Sequence, residues 1–519
     1  MPVHVPPGAD LLLSGGRVLT LDPLRPQAEA VALASGKILA VGSEAELKPL
    51  LSPRTQILSY PGKTILPGFI DPHLHLFAWA SRFSGIDLSP ARSVADIQQK
   101  LIASIADVPA GEWVRGYGYD EFFLTEKRHP TRWDLDAVST SHPILLRHRT
   151  GHAAVLNSAA LQRAGIRRSL TPPPGGQIEY DPATGEPTGV LYELEAFLRT
   201  VLPHLPEQEL KAGVRQANRE LLRHGVTSFH DASAGNTLED LTLFRRLHDE
   251  GLLTPRATVM LSIDMLPSLL ASRVAPFAGD DYIRCGSLKI MLHESRSVVS
   301  PPYEEVVEKV VRAHREGFQV AFHAVEEGPI SIALAALAEA QARMFRADHR
   351  HRIEHCALCP PPFIDLLADT GGAVVTQPGF LRFYGEKYAT AVEPDVHSWL
   401  YRTKSLLARG VCVAGSSDCP VAPLAPLIGV SAAMTRRARG GSVINTEERL
   451  TLHEALLLFT AAGAWVGFEE SRKGRIAPGM LADLTVLDGD ITQTPPEEII
   501  GLSVESTIIG GRVVWPAEG

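Results

Sequence analysis

The sequence predicts an α/β fold: a (β/α)8 TIM-type barrel with a small β-sandwich domain formed by both chain ends and an insertion over the barrel mouth. Three observations lead to this prediction. Short apolar runs typical of buried parallel strands alternate with helical stretches through the middle of the chain. Both ends carry partly alternating apolar runs broken by Gly pairs. A long stretch separates the first two barrel strands.

The chain ends have the pattern of strands joined by tight turns. The runs are ADLLLSGGRVLTLD and EAVALASGKILAVG near the start, and ADLTVLDGD and ESTIIGGRVVW near the end. Neither end has enough strand to bury a core by itself. The simplest solution is one composite β-domain built from residues 1–66 and 474–519.

The central region contains eight candidate strands. They are TILPGFID, VTSFHDA, RATVMLS, SLKIML, FQVAFHA, HRIEHCA, GAVVTQ and GVCVAGSSD. Eight β/α repeats predict a closed barrel, which we assign to residues 67–473. The first two strands are too far apart for a single crossover helix, so the sequence from about 80 to 205 is predicted to be an inserted subdomain over the barrel mouth.

Composition and charge exclude several function classes. The 519 residues are 45% hydrophobic and 21% charged, as in ordinary globular proteins. A net charge of −9 argues against a nucleic-acid partner. No apolar run approaches the roughly 20 residues of a membrane span, and the first residues do not resemble a signal peptide. The five cysteines do not suggest a secreted disulfide framework, so we expect a cytoplasmic protein. A homodimer stays open.

Six polar residues lie at or near the carboxyl ends of five predicted barrel strands, where barrel enzymes build their active sites. These residues are His73, His75, Lys289, His323, His355 and Asp418. His73 and His75 are two apart on a strand, so both imidazoles project from one face and can share a divalent metal. Taken alone this pair is a weak signal, because paired histidines also occur on wet surfaces.

The other four residues also have ordinary explanations. Lys289 could be a lysine whose amine reaches solvent from a strand end, His323 and His355 could be hydrogen-bonded core histidines, and Asp418 could cap a turn. Together, four imidazoles and a carboxylate suit one or two zinc ions. A desolvated Lys289 has a depressed pKa, and its neutral amine could react with CO2 to form a carbamate that bridges two metals. Asp418 would be a ligand and the general base for water.

Several motifs occur in a fixed order along the chain. PGFIDPHLHL is followed by GVTSFHDA, LKIML, VAFHA, RIEH, GSSDCPV and finally GRIAPGMLADLTVLDGD. Within the insertion lie a GHA…NS element and PTGVLYE. With these motifs the chain resembles the amidohydrolase superfamily, and within it the amidohydrolase-3 (YtcJ-like) family, over nearly its whole length.

The resemblance implies a mononuclear or binuclear zinc-type site and the hydrolysis of a C–N bond, typically in an amide or formamide. By this likeness His73 and His75 bind the more buried metal, and carboxylated Lys289 bridges. His323 and His355 bind the second metal.

The resemblance also implies roles for other residues. Asp418 acts as the base. His152 in the insertion is expected to contact a small-molecule substrate, with a structural turn role as the alternative. Tyr119, Asp120 and Glu193 are further substrate-binding candidates.

Two departures from the family pattern fall beside the expected metal site. His293 and Glu294 replace an Asp-Gly pair, and Glu326 and Glu327 replace a Gly-Asp pair. Fold and metals do not fix a substrate, so deamination, ester hydrolysis, isomerisation and decarboxylation stay open as alternatives. A non-catalytic scaffold is the remaining alternative, and the retention of every ligand type argues against it.

Overall fold

The computed structural model describes residues 8–106, 108–173, 175–203, 205–295 and 298–516, with the backbone alone at 196 and 295. The outer ends of the predicted β-domain, 1–7 and 517–519, lie outside the described residues. The chain forms two compact units, one of Met1–His75 with Asn218–Gly519 and one of Leu76–Ala217. Across the described ranges, we find no helix with the length and apolar character needed to cross a membrane.

The first unit starts with short strands and one helical turn. These are β1 (Leu11–Ser14), β2 (Arg17–Leu19), β3 (Gln27–Ala28), β4 (Ala30–Ala34), β5 (Lys37–Gly42), α1 (Glu44–Leu47), β6 (Gln56–Ser59), β7 (Thr64–Pro67) and β8 (Phe69–Leu74). One sheet has the order β5-β4-β1-β6. The hairpin between β4 and β5 turns at Ser35 and Gly36, both with positive φ, as a two-residue type I′ turn requires.

The second unit contains a six-stranded sheet with helices. Its elements are α2 (Leu76–Arg82), β9 (Ile86–Asp87), α3 (Val94–Ile105), β10 (Val114–Tyr119), α4 (Arg132–Asp136), β11 (Ile144–His148), β12 (Ala153–Leu156), α5 (Ser158–Arg163), β13 (Gln177–Tyr180), β14 (Pro187–Tyr192) and α6 (Glu195–Val201). The strand order is β13-β14-β12-β11-β10-β9. Leu145 and Leu146 of β11 enter two different apolar clusters, so both faces of this sheet are covered.

The barrel follows in the first unit. Its strands after β8 are β15 (Val226–Asp231), β16 (Arg256–Ser262), β17 (Ile283–Met291), β20 (Val320–Ala324), β21 (Arg352–His355), β22 (Ala373–Thr376) and β23 (Val413–Gly415), and a hairpin of β18 (His293–Ser295) and β19 (Val298–Ser300) follows β17. The helices are α7 (Glu207–Arg223), which spans the unit boundary, α8 (Leu238–Asp249), α9 (Leu266–Ala271), α10 (Tyr303–Arg315), α11 (Glu327–Arg343), α12 (Pro361–Thr370), α13 (Pro378–Ala391), α14 (Thr403–Ala408), α15 (Pro426–Thr435), α16 (Leu452–Leu458) and α17 (Ala461–Trp465).

The eight parallel strands confirm the predicted barrel class. The sheet runs β23-β22-β21-β20-β17-β16-β15-β8, and its strands are almost entirely buried, as continuous apolar runs predict. Its two edge strands, β8 and β23, are joined by hydrogen bonds of the segments that follow them. Asp418 N donates to His73 O at 2.9 Å, and His75 N donates to Cys419 O at 2.7 Å. We call this the seam of the barrel.

The predicted first barrel strand, TILPGFID, was wrong as a single element. Its first half is β7, which belongs to a terminal sheet, and only the second half, in β8, enters the barrel. Gly68 divides the two, and its N–H donates to Asp483 O at 2.9 Å. An unbroken apolar run cannot show that the chain changes sheets within it.

The last strands are β24 (Leu484–Leu487), β25 (Val504–Ile509) and β26 (Arg512–Trp515). They extend a second terminal sheet with the order β26-β25-β24-β7-β2-β3, in which β24 runs antiparallel to β7. Leu13 and Val31 from the first sheet share one apolar cluster with Ile65, Leu484 and Ile508 from the second. The two sheets therefore form a sandwich with one core.

Candidate metal centre

Three side chains converge where the barrel closes. His73 lies near the end of β8, His75 follows that strand, and Asp418 follows β23; their ligand atoms lie within 4.8 Å of one another. His75 Nε2 is 3.1 Å and His73 Nε2 is 3.5 Å from Asp418 Oδ1. Ligand atoms bound to tetrahedral zinc at 2.0–2.1 Å are separated by about 3.3 Å. The spacing therefore fits three ligands of one cation.

The backbone around this group is fixed by a buried carboxylate. Asp71 accepts hydrogen bonds from His73 N and from Ser417 N, each at 3.2 Å. Burial raises the pKa of Asp71 to about 7. Asp418 itself has φ +55°, a left-handed conformation uncommon outside glycine. These contacts hold the two ends of the seam in register, so that the ligands meet.

A charged chain orients the His73 ring. Nδ1 of His73 lies 2.5 Å from Glu354 Oε2, and Arg352 Nε donates to Glu354 Oε1, also at 2.5 Å. Arg352 Nη2 also donates to Pro72 O at 2.7 Å. Metal-ligating histidines commonly donate their second ring N–H to a carboxylate, which leaves the other nitrogen for the metal. Sequence analysis missed Glu354, although a carboxylate inside the apolar strand RIEH was a signal.

His355 and His323 lie beside the three-residue group. His355 Nδ1 is 2.8 Å from Gln377 Oε1 and 4.0 Å from Asp418 Oδ2. His355 Nε2 is 2.9 Å from His323 Nδ1. The rings of His73 and His355 have centroids 4.9 Å apart. The structure thus places all four predicted histidines at the end of the barrel that holds Asp418.

Lys289 is completely buried in β17. Burial lowers the pKa of Lys289 to about 8, against the opposing influence of the Glu354 and Asp418 carboxylates. Burial together with the positive charge of Lys289 also lowers the pKa of His73 well below its usual value. A neutral imidazole and a partly neutral amine are the forms that bind a metal and react with CO2.

Among the predicted metal-site residues, three buried atoms make no directed hydrogen bond to any described residue: His73 Nε2, Lys289 Nζ and Asp418 Oδ1. Buried polar atoms are almost always paired, so these three call for a missing group. A divalent cation satisfies the imidazole nitrogen and the carboxylate oxygen at once. The donor set of nitrogen and carboxylate oxygen is also one that zinc accepts.

The predicted substrate-binding residues all lie in the second unit. His152 Nδ1 is 3.0 Å from Glu193 Oε1, and Glu193 has φ +52°. Tyr119 OH is 2.9 Å from His129 Nδ1. Asp120 accepts a hydrogen bond from Arg149 Nε at 2.8 Å. Each of the four residues therefore has a contact within that unit. His152 and Glu193 pair with each other, and Tyr119 and Asp120 contact His129 and Arg149.

Three of the four residues that depart from the family pattern lie at the start of one helix. Glu327 is the first residue of α11 and Glu326 is its N-cap. The carboxylate of Glu294 lies against Gly328 in the same first turn. Acidic side chains at a helix N-terminus are stabilised by the helix dipole. Because α11 follows β20, these carboxylates lie in the segments next to His323.

Comparison with known proteins identifies the family. A model described as "Amidohydrolase family" matches residues 61–515. The N-substituted formamide deformylase of Arthrobacter pascens is 30% identical, and the alignment covers 98% of this chain and 99% of that protein. The YtcJ protein of Bacillus subtilis (strain 168) is 28% identical, with 96% and 98% covered.

Solved structures agree on the fold. A crystal structure of an uncharacterised metal-dependent hydrolase from Pyrococcus horikoshii OT3 matches with a TM-score of 0.75 and 23% identity, covering 94% of this chain and 99% of that one. The family model spans most of the sequence, and a group of possible metal ligands lies at the seam of the barrel. This chain belongs to the amidohydrolase family and is a metal-dependent hydrolase acting on carbon–nitrogen bonds.

Proposed function

We propose that this amidohydrolase cleaves the C–N bond of a small N-formyl or N-acyl amine at the centre formed by His73, His75 and Asp418. The observation that carries the proposal is the spacing of about 3 Å between the imidazole nitrogens and one buried carboxylate oxygen. The formamide class is favoured because the deformylase relative aligns over almost the entire chain. The product amine and a carboxylic acid would then leave the site.

We assign the first cation, most simply zinc, to His73, His75 and Asp418. His355 and His323 would hold a second cation, and a CO2-derived carbamate on Lys289 would bridge the two. When bound, such cations polarise a substrate carbonyl and acidify a water molecule. The burial of Lys289 supports the carbamate, because a lowered pKa leaves part of the amine neutral near pH 8.

Asp418 carries the proton in this proposal. Burial alone would raise the pKa of Asp418, but the neighbouring imidazoles of His75, His73 and His355 lower it, so the carboxylate is ionised at neutral pH. It accepts the proton of the attacking water as the water oxygen bonds to the carbonyl carbon. It then delivers this proton to the nitrogen as the C–N bond breaks.

We also propose that His152 and Glu193 bind the substrate. Their side chains are paired, so the Glu193 carboxylate orients the imidazole and makes Nδ1 the donor to it. His152 keeps 37% of its side chain exposed, so part of the imidazole can be reached from solvent. An imidazole held in this way can accept from or donate to an amide group.

The proposal is tested by metal content and substrate screening together. Protein purified without chelator should contain at least one equivalent of transition metal and release formate or another acid from a panel of N-formyl and N-acyl amines. Asp418→Asn should keep most of the metal and lose about 10²–10⁴-fold in rate, because an amide cannot accept the proton.

The matched control is Asp488→Asn, the same change at an exposed turn of the terminal sandwich. It should leave both metal and rate unchanged. Full activity with less than about half an equivalent of metal, or near-normal turnover by Asp418→Asn, would contradict the mechanism. If the protein releases ammonia from amino-heterocycles and cleaves no amide, its reaction is deamination and not amide hydrolysis.

A further inference from the structure

We propose that the second unit, Leu76–Ala217, contains a separate site for a divalent cation such as zinc, formed by Asp120, Glu121 and His148. Their ligand atoms lie within 4.8 Å of one another. It contains none of the residues that we assign above to the hydrolytic centre. It also gives Asp120 a role different from the substrate contact that the sequence suggested.

The sheet of this unit brings the three residues together. Asp120 and Glu121 directly follow β10, and His148 is the last residue of β11. The two strands are parallel neighbours, with Tyr119 paired to His148. Since carboxyl ends of parallel strands meet at one edge, side chains that follow them converge. A 3-10 turn, Glu121–Phe123, begins at this point, and Asp120 Oδ1 accepts from Phe122 N at 3.0 Å, which fixes the start of the turn.

The distances fit a shared cation. His148 Nε2 lies 2.9 Å from Glu121 Oε2 and 3.7 Å from Asp120 Oδ1. These values lie on either side of the roughly 3.3 Å edge of a tetrahedral zinc site. The same is true of the distances from Asp418 to the two histidines of the barrel, 3.1 and 3.5 Å. The two groups thus have the same chemistry and nearly the same dimensions.

The His148 ring is buried and oriented as a ligand would be. Its side chain is 7% exposed, and Nδ1 lies 2.8 Å from Thr150 Oγ1 and 3.3 Å from Thr150 N. The hydroxyl can accept a hydrogen from Nδ1, and in that tautomer Nε2 has its lone pair for a cation. Nε2 is buried and lies 2.9 Å from Glu121 Oε2, a separation that suits two ligands of one ion.

The charges at this site also favour a cation. Asp120 is 4% exposed at its side chain, and Arg149 Nε donates to its Oδ2 at 2.8 Å. Arg149 therefore compensates one of the two carboxylates. The second, on Glu121, lies 2.9 Å from His148 Nε2 and 3.8 Å from His129 Nδ1. Two carboxylates beside one arginine leave a net negative charge, which favours a cation, and carboxylate oxygen and imidazole nitrogen are ligands that zinc accepts.

The test counts metal ions in the full-length protein, with zinc alone as the probe. Apo protein is reloaded with Zn²⁺, dialysed and analysed for metal in the wild type, His148→Ala and Glu121→Gln. The matched control is His142→Ala. His142 is a buried histidine of the same unit whose ring nitrogens lie 2.9 Å from Ser139 Oγ and 3.2 Å from Val108 O.

We expect both site variants to hold one equivalent of zinc less than the wild type and the control. Glu121→Gln keeps the shape of a side chain that is one quarter exposed, so it carries the test if His148→Ala does not fold. Anomalous scattering at the zinc edge should then show an ion between the three side chains in the wild type and none there in Glu121→Gln. Equal zinc content in all four proteins, with no such peak, would overturn the proposal and leave an ion pair only. If instead the barrel centre does not bind metal, all four proteins will hold less zinc, but the difference of one equivalent between the two site variants and the wild type will remain.

Discussion

Lys289 shows how much can depend on a single atom. Leaving a buried polar atom unpaired costs about 1–3 kcal/mol, and Nζ of Lys289 is one of three such atoms among the predicted metal-site residues. Protein cores rarely accept that cost without a ligand to remove it. The unpaired atoms therefore support the proposed metal and the proposed carbamate on Lys289 more strongly than a count of histidines does.

Lys289→Ala is expected to lose both metal and activity. The alanine cannot form the proposed carbamate, whose oxygens would help to hold the second cation. A short carboxylic acid in the buffer should partly restore both, because its two oxygens can occupy the vacated space. Metal analysis and turnover are the measurements, and Lys309→Ala, which changes a surface lysine paired with Asp264 and Glu305, is the control. A metal-loaded structure in which the unmodified amine points away from the ions would contradict the bridging role.

A sequence predicts the spacing of residues along one strand better than it predicts contacts between residues on different strands. The facing imidazoles of His73 and His75 follow from strand periodicity, a local property. The contact between His73 and Glu354 joins residues 281 positions apart, and it depends on which strands become neighbours when the barrel closes. Periodicity contains no such information, so Glu354 escaped notice although its strand was identified.

At the scale of elements, two histidines connect α10 to the start of β21. Val320 N donates to His351 Nδ1 at 2.8 Å, so the proton of His351 resides on Nε2, 2.8 Å from His314 Nδ1. His314 Nε2 in turn lies 2.7 Å from Met344 O. Each ring has one donor and one acceptor in use, which requires both rings to be neutral.

Acid should therefore weaken the barrel. Burial, reinforced by His349, His314 and Arg346, lowers the pKa of His351 well below its usual value of 6.5. The unfolded chain then binds the proton first, so the stabilisation is complete above pH 6.5 and is lost as pH falls below it. We expect His351 to contribute a loss of about 1.4 kcal/mol per pH unit in metal-free protein, followed by thermal unfolding from pH 7.5 to 5.5.

His351→Asn should make that decline shallower, because the group that titrates is gone. The same change at the exposed His453 should leave the slope as it is in the wild type. A wild-type slope retained in His351→Asn would show that other groups cause the acid sensitivity.

Strands were predicted best where one apolar run forms one strand of a single sheet. Seven of the eight barrel strands coincide with separate apolar runs, from β15 to β23. The exception is TILPGFID, which contains parts of two strands. The first, β7, belongs to a terminal sheet, the second, β8, belongs to the barrel, and the chain passes from one to the other at Gly68. Apolar character is common to both strands, so only pairing distinguishes them.

At the scale of the whole molecule, an inserted unit of its own sheet and cores accompanies the barrel. The sequence predicted an insertion at about 80–205 because barrel strands are missing from that stretch. It could not pair β24 with β7, whose residues are separated by most of the chain, because periodicity gives each strand without its neighbour.

His152→Ala tests the contribution of the inserted unit to catalysis. We expect kcat/KM on the best substrate to fall about 10–100-fold, the effect of losing a hydrogen bond of 1.5–3 kcal/mol, while metal content stays unchanged. His142→Ala, in the same unit, should leave the kinetics as they are. Unchanged kinetics in His152→Ala would make His152 a structural residue.

The seam of the barrel also joins residues that are synthesised at very different times. Asp71 and Ser417, which meet there, are 346 positions apart. At about 5–20 residues per second, roughly 20–70 s pass between the emergence of the two histidines and that of Asp418. During this time a nascent chain offers a cation two imidazoles and no carboxylate partner. The proposed metal centre can thus be completed only after Asp418 has emerged, and a chain truncated before β23 carries His73 and His75 without their carboxylate partner.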